Sequence, residues 1–329
     1  MQRGVRQGWR WVLPWLCLLT LAAQAQDRSA AGAEADVRSA EQWLQIVQQA
    51  ARRLDYVGTV VYQQGDEVRM SRIVHIFDGQ VSRERLQPMD GRPREFIRND
   101  DEVKCLIPES RRVVVERRAR QDAFPALTGA ATSELLQHYQ VQVVNRERAG
   151  GFDAQVIEIR PRQGDRYGYR LWVDRGTGLL LRSQTLGERG EMLEQMAFAE
   201  IRIGGVDRGS LKPSWSTDGW KIDETTHKPV DLRGQGWRVS PPEGFKALYA
   251  VRRPMPSGPA LQAVYSDGLA TFSVFIEPAT GAARDEPMPQ RGPISAYVRR
   301  VGDSTVTVVG EVPPATTRAV AYGADRIAR

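Results

Sequence analysis

From residue 56 onwards, apolar residues alternate with polar ones in short runs, and nearly every run ends at a pair of turn-forming residues. Alternation with a period of two is typical of strands with one buried face, and Gly with Asp between such runs indicates a hairpin. Pairs of this kind occur at Gly65-Asp66, Asp78-Gly79 and Asp90-Gly91. The pattern predicts a meander of antiparallel strands, the first six covering 56–64, 68–77, 80–86, 92–98, 102–107 and 111–117.

The alternation resumes after a short predicted helix at 133–138 and continues to residue 203, which makes roughly eleven strands in near-sequential order. A sheet of that length must curl. A helix is also predicted before the first strand, over 37–54, because apolar residues recur there every three or four positions and Asp36 is a candidate N-cap. We expect a mainly β, α+β fold in which helices pack against one side of a barrel or incomplete barrel.

The composition changes between residues 205 and 236, where Gly, Pro, Ser, Asp and Lys replace the alternating pattern. We interpret 205–236 as a linker. It is followed by a predicted smaller α+β domain over 237–329, whose last helix is expected over 315–328 because Pro313-Pro314 precedes it and proline is tolerated in a first helical turn. The strands of this domain are predicted near 245–252, 261–266, 269–276, 296–301 and 305–310.

Residues 1–25 have the three parts of a secretory signal peptide. Arginines precede an apolar stretch over 11–23, and a small-x-small cleavage site ends at Ala25. The apolar stretch is shorter than the roughly 20 residues that span a bilayer. Residues 26–35 have no periodicity and are predicted to form a flexible N-terminal tail. We therefore expect an exported, soluble protein of the periplasm.

This compartment limits the available partners and bonds. The formal net charge is +6, but an exported protein does not meet nucleic acid, so the arginines concentrated over 92–120 indicate either a solvated strand face or contacts with lipid phosphates or an acidic peptide. Cleavage after residue 25 removes Cys17 and leaves Cys105 alone, which excludes an intramolecular disulfide. We interpret Cys105 as a structural residue of a buried strand.

The local motifs of common enzymes and metal sites are missing. The three histidines, His75, His138 and His227, are scattered, and there is no His-Glu-x-x-His, Cys-x-x-Cys, Gly-x-Ser-x-Gly or phosphate-binding loop. A pair of catalytic carboxylates would be defined only by its separation in three dimensions. We predict that the protein is not an enzyme and has no catalytic residue, no metal and no cofactor.

A curled sheet can close over packed side chains or leave a cavity for a ligand, and the pattern allows both. The run over 56–64 carries bulky residues on both faces. This suits a sheet covered by helices on one side, and it also suits a half-barrel with an apolar concave surface for an acyl chain. The candidates for lining such a lipid cavity are Val60, Tyr62, Met70, Phe77, Tyr169 and Leu171.

Several motifs are longer than a turn or strand signal. In the second domain they are WRVSPPEGF (237–245), RRPMP (252–256), VYSDGL (264–269), FSV (272–274) and VGEVPP (309–314), and in the first domain YVGTVVY (56–62), LWVD (171–174) and GEMLEQ (190–195). In order and spacing these motifs resemble the MucB/RseB family of periplasmic sigma-E regulators. The resemblance spans nearly all of the chain after residue 25, and the predicted linker is its weakest part.

The resemblance implies a two-domain binding protein. The first domain, over 36–204, would be a lipid-sensing β domain similar to LolA-type lipoprotein carriers, an unclosed antiparallel β-barrel with packed helices. The second, over 237–329, would bind the periplasmic domain of a membrane-anchored anti-sigma factor of the RseA/MucA type and shield it from regulatory proteolysis. A lipid or lipopolysaccharide would relieve the shield. The alternative function is a periplasmic lipid or lipoprotein carrier, and exposed strand edges are compatible with a homodimer.

Charged and aromatic residues surround the predicted hairpin at Asp267-Gly268. We predict that this part of the second domain contacts the partner. The candidate partner-binding residues are Arg252, Arg253, Tyr265, Asp267 and Phe272. In the alternative interpretation the two arginines end a strand and the two aromatic residues fill the small core, which is the usual position of aromatic side chains on hairpin strands.

Overall fold

The computed structural model describes residues 38–117, 132–225, 228–255, 258–281 and 285–327. The predicted signal peptide and the predicted tail, 1–35, lie outside the described residues. Residues 39–329 form one compact unit. Among the described residues, no helix is both long and apolar enough to cross a membrane.

The first helix, α1 (Ala40–Arg53), begins three residues later than the sequence predicts. Its N-cap is Ser39 and not Asp36, because Ser39 and Gln42 form a reciprocal capping box: the Gln42 amide donates to Ser39 Oγ at 3.2 Å, and the Ser39 amide donates to Gln42 Oε1 at 2.8 Å. The helix buries one face, which consists of Trp43, Leu44, Val47, Ala50 and Ala51.

The predicted meander is confirmed as the main part of a twelve-stranded sheet, here called the large sheet. Its strands are β1 (Tyr56–Gln64), β2 (Glu67–Phe77), β3 (Ser82–Pro88), β4 (Glu95–Asn99), β5 (Glu102–Ile107), β6 (Arg112–Arg117), β7 (Tyr139–Ala149), β8 (Phe152–Pro161), β9 (Gly168–Asp174), β10 (Leu180–Leu186), β11 (Met192–Ile203) and β12 (Lys221–Thr225). The order across the sheet is β12-β6-β5-β4-β3-β2-β1-β11-β10-β9-β8-β7, so the two ends do not pair and the barrel is unclosed. A second helix, α2 (Thr132–His138), precedes β7.

One face of the large sheet, here called the inner face, is covered by the helices. Trp43, Leu44 and Val47 of α1 and Leu135 of α2 pack there against strand residues that include Leu171. These side chains are almost completely buried. Burial of a large apolar side chain contributes about 1.5–3 kcal/mol, so this cluster fixes the helices to the sheet.

The segment predicted to be a linker packs on the other, outer face of the large sheet. It contains a 3-10 turn (Arg208–Leu211) and β12, which runs parallel to β6 and extends the sheet by one strand. Trp215 and Trp220 lie against a core of Leu106, Val113 and Val115. The segment has no alternating pattern, but its two tryptophans supply enough apolar area to hold an irregular segment on a sheet.

The second part of the chain forms a six-stranded sheet, here called the small sheet. After β13 (Trp237–Val239), its strands are β14 (Lys246–Met255), β15 (Gly258–Ser266), β16 (Thr271–Pro278), β17 (Asp285–Arg291), β18 (Ile294–Val301) and β19 (Ser304–Gly310), in the order β14-β15-β16-β19-β18-β17. One face packs on α3 (Pro314–Tyr322), with Phe272, Val274, Val308 and Val320 in its core. The α+β prediction for this region is confirmed.

Two features of the small sheet differ from the sequence prediction. The last helix was expected to reach residue 328, but it ends at Tyr322, and Gly323 leads into β20 (Ala324–Arg326), which pairs with β13. Strand β17 was not predicted. All of its residues are exposed and two of them are prolines, so it lacks the alternation that signals a strand.

Candidate functional site

The two sheets meet at a buried ion pair. Arg166, in the turn between β8 and β9, donates from Nε to Asp267 Oδ2 at 2.5 Å, and the two side chains are 2% and 1% exposed. The Tyr139 hydroxyl of β7 donates to the same carboxylate oxygen at 2.9 Å. Burial, together with the neighbouring Tyr169 and Asp267, raises the pKa of Tyr139 well above its ordinary value of 10.0, so the hydroxyl keeps its proton and acts as a donor.

Asp267 also shapes the hairpin between β15 and β16. Its Oδ1 atom accepts hydrogen bonds from the amides of Leu269 at 2.9 Å and Ala270 at 2.8 Å. One carboxylate therefore stabilises the turn with one oxygen and joins the sheets with the other. Leu269, at the tip of this turn, packs on the core between α1 and the large sheet.

Arg166 makes further contacts with both sheets. Its guanidinium bonds to the Asp165 carboxylate and to the Glu243 carbonyl, and it lies 4.5 Å from the centre of the Phe245 ring. Gly244, between these last two residues, has φ +88°, and a Cβ there would lie 2.3 Å from His138 Nε2. Only glycine allows the chain to approach α2 this closely.

The predicted partner-binding residues occupy two different environments. Tyr265 and Phe272 are buried in the small-sheet core, where their rings stack at 5.2 Å. Arg252 is exposed and donates to Gln235 Oε1 at 2.6 Å. Arg253 crosses the junction between the two sheets and forms an ion pair with Glu116 of the large sheet, with 2.8 Å between Nη2 and Oε1. Asp267 is buried in the ion pair with Arg166. Arg252 is therefore the most solvent-accessible of the five residues. Their role as partner contacts stays a prediction.

A cleft of about 710 Å³ lies between the tip of the β1–β2 hairpin and the small-sheet face that α3 does not cover. This is within the roughly 300–1,000 Å³ of small-molecule sites in proteins. Among the apolar side chains that line it, Met288, Ile294 and Met255 are 48%, 40% and 39% exposed, and Phe275 and Val309 lie on the small sheet beside them. The polar lining residues are Tyr62, Gln64, Glu67, Arg69, Glu277, Arg291 and Thr307.

A second, smaller pocket of about 270 Å³, here called the inner pocket, lies on the inner face of β3 to β6. The pocket has an apolar side and a polar side. The strand register explains this, because directly paired residues lie on the same face of the sheet. Leu86, Phe96, Cys105 and Val114 pair in sequence and make an apolar row, while Glu84 and Arg98 pair in a polar row beside it.

Burial changes the pKa of two residues that line the inner pocket, Glu84 and Cys105. Burial raises the pKa of the Glu84 carboxyl above its ordinary value, with Arg98 and His75 offsetting part of the effect. Burial also raises the pKa of the Cys105 thiol, with Arg94 opposing it. A thiol with a raised pKa is a weak nucleophile, which agrees with a structural role for Cys105.

The structure places the six candidates for a lipid cavity in different environments, and their role in lipid binding stays a prediction. Val60 and Leu171 are buried in packed cores, and Tyr169 packs beside Leu171 under the helices. Tyr62 lines the cleft. Met70 pairs with Val61 and so lies on the face opposite to Val60 and Tyr62. Phe77 is at the end of β2 and is partly exposed. None of the six is among the residues that line the inner pocket.

The sequence interpretation missed Arg166 and Tyr139, which bind Asp267, and the apolar residues Met288 and Ile294 of the cleft. The pairs at the junction are separated by more than a hundred positions, so no local pattern reports them. Within the part of the chain that the structure describes, no three His, Cys, Asp or Glu side chains come together as metal ligands.

Two family models match the chain, the MucB/RseB N-terminal domain over residues 39–218 and the MucB/RseB C-terminal domain over 231–325. The sigma factor AlgU regulatory protein MucB of Pseudomonas aeruginosa is 33% identical over 86% of this chain and 89% of its own length. The sigma-E factor regulatory protein RseB of Haemophilus influenzae is 27% identical over 88% and 91%.

Solved structures show the same fold. The structure of the Pseudomonas aeruginosa MucA/MucB complex matches with a TM-score of 0.72 at 29% identity, covering 88% of this chain and 99% of the matched chain. A crystal structure of MucB in complex with MucA(peri) matches with a TM-score of 0.70 at 30% identity, covering 88% and 100%. The similarity therefore extends over both sheets.

Proposed function

This chain belongs to the MucB/RseB family, and from that premise we propose that it is a periplasmic negative regulator of the sigma-E envelope stress response. Its relatives are sigma-factor regulatory proteins, and MucB has been solved in complex with the periplasmic region of MucA. The partner of this chain would be the periplasmic region of a membrane-anchored anti-sigma factor. The predicted signal peptide supports the compartment.

The cleft is the proposed binding site for the partner. It exposes apolar side chains next to charged ones, with Met288 and Ile294 among the former and Arg69 and Glu277 among the latter. An interface of this composition suits a peptide segment that places apolar side chains in the cleft and polar groups at its rim. This exposed apolar lining is the observation that carries the proposal.

Shielding of the partner follows from occupancy of the cleft. A segment held between the walls of the cleft is sterically inaccessible to the active site of a protease, so the partner is protected as long as it is bound. The proposal includes relief by a lipid. For that, lipid and peptide must favour different conformations, with a coupling of typically ~1–3 kcal/mol. The inner pocket has an apolar row that can accept part of an acyl chain.

A binding measurement with matched substitutions tests the proposed site. A synthetic peptide covering the periplasmic region of Pseudomonas aeruginosa MucA should bind the wild type, as followed by isothermal titration calorimetry. Met288→Asp and Ile294→Asp should each weaken binding by about tenfold or more, because each places a charge in an apolar contact. Met89→Asp is the control, since Met89 is 57% exposed and does not line the cleft.

Equal affinities for the cleft variants and the control would contradict the site, and a wild type that does not bind would contradict the function. Protection is tested separately, by digesting the peptide with a nonspecific protease in the presence of the protein. We expect the protein to slow digestion and lipopolysaccharide to restore it. Phe96→Asp, which charges the apolar row, should keep the protection and abolish the response to lipopolysaccharide.

The inner pocket also bears on the carrier alternative. Its volume of about 270 Å³ is below the usual range for small-ligand sites, and the helices fill the inner face of β8 to β10. The described cavities therefore favour a regulator that responds to part of a lipid over a carrier that encloses one. A homodimer stays a prediction.

A further inference from the structure

The contacts across the junction include partly exposed ion pairs, Arg253 with Glu116 and Lys246 with Glu134, and two further kinds that matter for the cleft. At the centre of the junction, Arg166 and Asp267 form a buried ion pair that also involves Tyr139. At the edge of the cleft, the two sheets are joined by single neutral hydrogen bonds. Gln64 donates from Nε2 to the Arg291 carbonyl at 3.4 Å, and Gln290 donates from Nε2 to the Tyr167 hydroxyl at 3.1 Å.

The Gln64 contact is unusually close to the backbone of the opposite sheet. Gly292, in the turn between β17 and β18, has φ +54°, and a Cβ there would lie 2.6 Å from Gln64 Cγ and 2.5 Å from Gln64 Nε2. The absence of a side chain at Gly292 therefore makes room for the side chain of Gln64. The side-chain amide of Gln64 also donates from Nε2 to the Tyr62 hydroxyl at 3.2 Å.

This contact joins two walls of the cleft. Gln64 and Tyr62 belong to the large sheet, Arg291 belongs to the small sheet, and all three line the cleft. We use the word clasp for the contact of Gln64 with Arg291 and Gly292. A chain that enters the cleft between the two sheets must displace the clasp.

The two kinds of contact differ strongly in how easily they break. Losing one neutral hydrogen bond at an exposed site changes an equilibrium constant by about tenfold or less. Breaking a buried ion pair, which leaves one charge without its partner, changes it by about a hundredfold or more. Of these two contacts, the clasp is therefore the one that costs less to open.

We propose that the clasp is a gate of the cleft: it opens to admit the partner peptide, and the small sheet turns about the Arg166–Asp267 pair as it does so. This rests on the proposed function, in which the peptide binds in the cleft. Gln64 then controls how fast the peptide enters, and Arg166 and Asp267 keep the two sheets together in both states.

A reversible crosslink tests the gate. The variant Gln64→Cys/Gly292→Cys is made in a Cys105→Ser background, and the two new thiols are within reach of a disulfide because the side chain of Gln64 already lies against Gly292. The probe is the synthetic MucA periplasmic peptide. We expect the oxidised variant to bind the peptide at least about tenfold more weakly than the same variant in its reduced form. Gln64→Cys alone, treated with the same oxidant, is the control.

The outcomes separate the two proposals. An oxidised protein that binds as well as the reduced one overturns the gate and leaves the proposed function standing. A wild type that does not bind overturns the proposed function and the gate with it. As a second variant that needs no crosslink, Gln64→Ala should raise the association rate of the peptide severalfold in stopped-flow fluorescence, and an unchanged rate would count against the gate.

Discussion

At the scale of single residues, Glu84 combines burial with an incomplete set of hydrogen bonds. Its Oε2 atom is buried and has no hydrogen-bond partner among the described residues. Burial raises its pKa above the ordinary 4.5. The folded protein therefore binds this proton more tightly than the unfolded chain does, and the contribution of Glu84 to stability is full below about pH 4.5 and is lost as the pH rises through the raised value.

Glu84→Gln removes the charge while keeping the shape of the side chain. We expect the variant to be more stable than the wild type near pH 7 by about 1 kcal/mol or more, because the neutral amide avoids the cost of ionising a buried carboxyl. The difference should shrink at about pH 4, where the wild-type carboxyl is protonated. Urea unfolding at the two pH values measures it. Glu109→Gln, at an exposed carboxyl, should change little at either pH, and an equal response of the two variants would refute the assignment.

The Arg166–Asp267 pair can be measured by a double-mutant cycle. Asp267→Asn keeps an oxygen for the turn amides but leaves Arg166 buried without its counter-charge, and we expect the free energy of unfolding to fall by about 3–5 kcal/mol. Arg166→Met should cost a similar amount. The double variant should cost clearly less than the sum, since neither charge of the Arg166–Asp267 pair is then buried without the other. Additive losses would show that the two side chains do not interact energetically.

The sequence indicated only one of the two residues of this ion pair. The hairpin at Asp267 was visible, because Asp-Gly between two apolar runs is a local signal. Its partner Arg166 was one arginine among many, and the contact spans 101 positions. Tyr265 and Phe272 were recognised as a pair on neighbouring strands, but their sequence does not tell a buried ring from an exposed one.

At the scale of elements, the accuracy of the sequence prediction follows the strength of the local pattern. Strands β1 and β5 have the predicted bounds, because each is an alternating run that ends at a turn. The start of α1 was misplaced, since Asp36 and Ser39 are both good N-caps and only Ser39 has a glutamine three residues later to complete the capping box. β17 gave no signal, because its pairing with β18 is held by backbone hydrogen bonds and not by buried side chains.

The segment between the sheets offers a test at this scale. Residues 208–225 were expected to be linker, yet Ser214 bonds to the buried Glu95 at 2.9 Å and Trp215 and Trp220 pack on the outer face. We expect trypsin to cut slowly after Arg208 in the wild type, although this arginine is exposed and is followed by Gly209. Trp215→Ala should raise the cleavage rate by about tenfold or more, because each 1.4 kcal/mol of lost packing multiplies the open population by ten.

Mass spectrometry of the fragments identifies the cut. The control is Trp237→Ala, a tryptophan in the small-sheet core, which should not selectively accelerate cleavage after Arg208. Rapid cleavage after Arg208 in the wild type would show that the segment is a loose linker.

At the scale of the whole molecule, both sheets belong to one compact unit. The fold class could be predicted because it depends on periodicity, which is local and repeated along the chain. The relation between the sheets could not, because it depends on a few long-range contacts. Separate folding domains, over 36–204 and 237–329, stay a prediction, and the buried pair at the junction argues that they unfold together.

Calorimetry distinguishes cooperative from independent unfolding. Because separation of the sheets exposes Arg166, Asp267 and Leu269, we expect the wild type to unfold in one transition whose calorimetric and van't Hoff enthalpies agree. Asp267→Asn removes the ion pair that couples the two sheets and also weakens the hairpin of the small sheet. In this variant the small sheet should therefore unfold first, and a second transition should appear at lower temperature. Glu134→Gln, which removes only the exposed ion pair with Lys246, should keep a single transition. Two transitions in the wild type would mean that the sheets unfold independently and that the buried pair does not couple them.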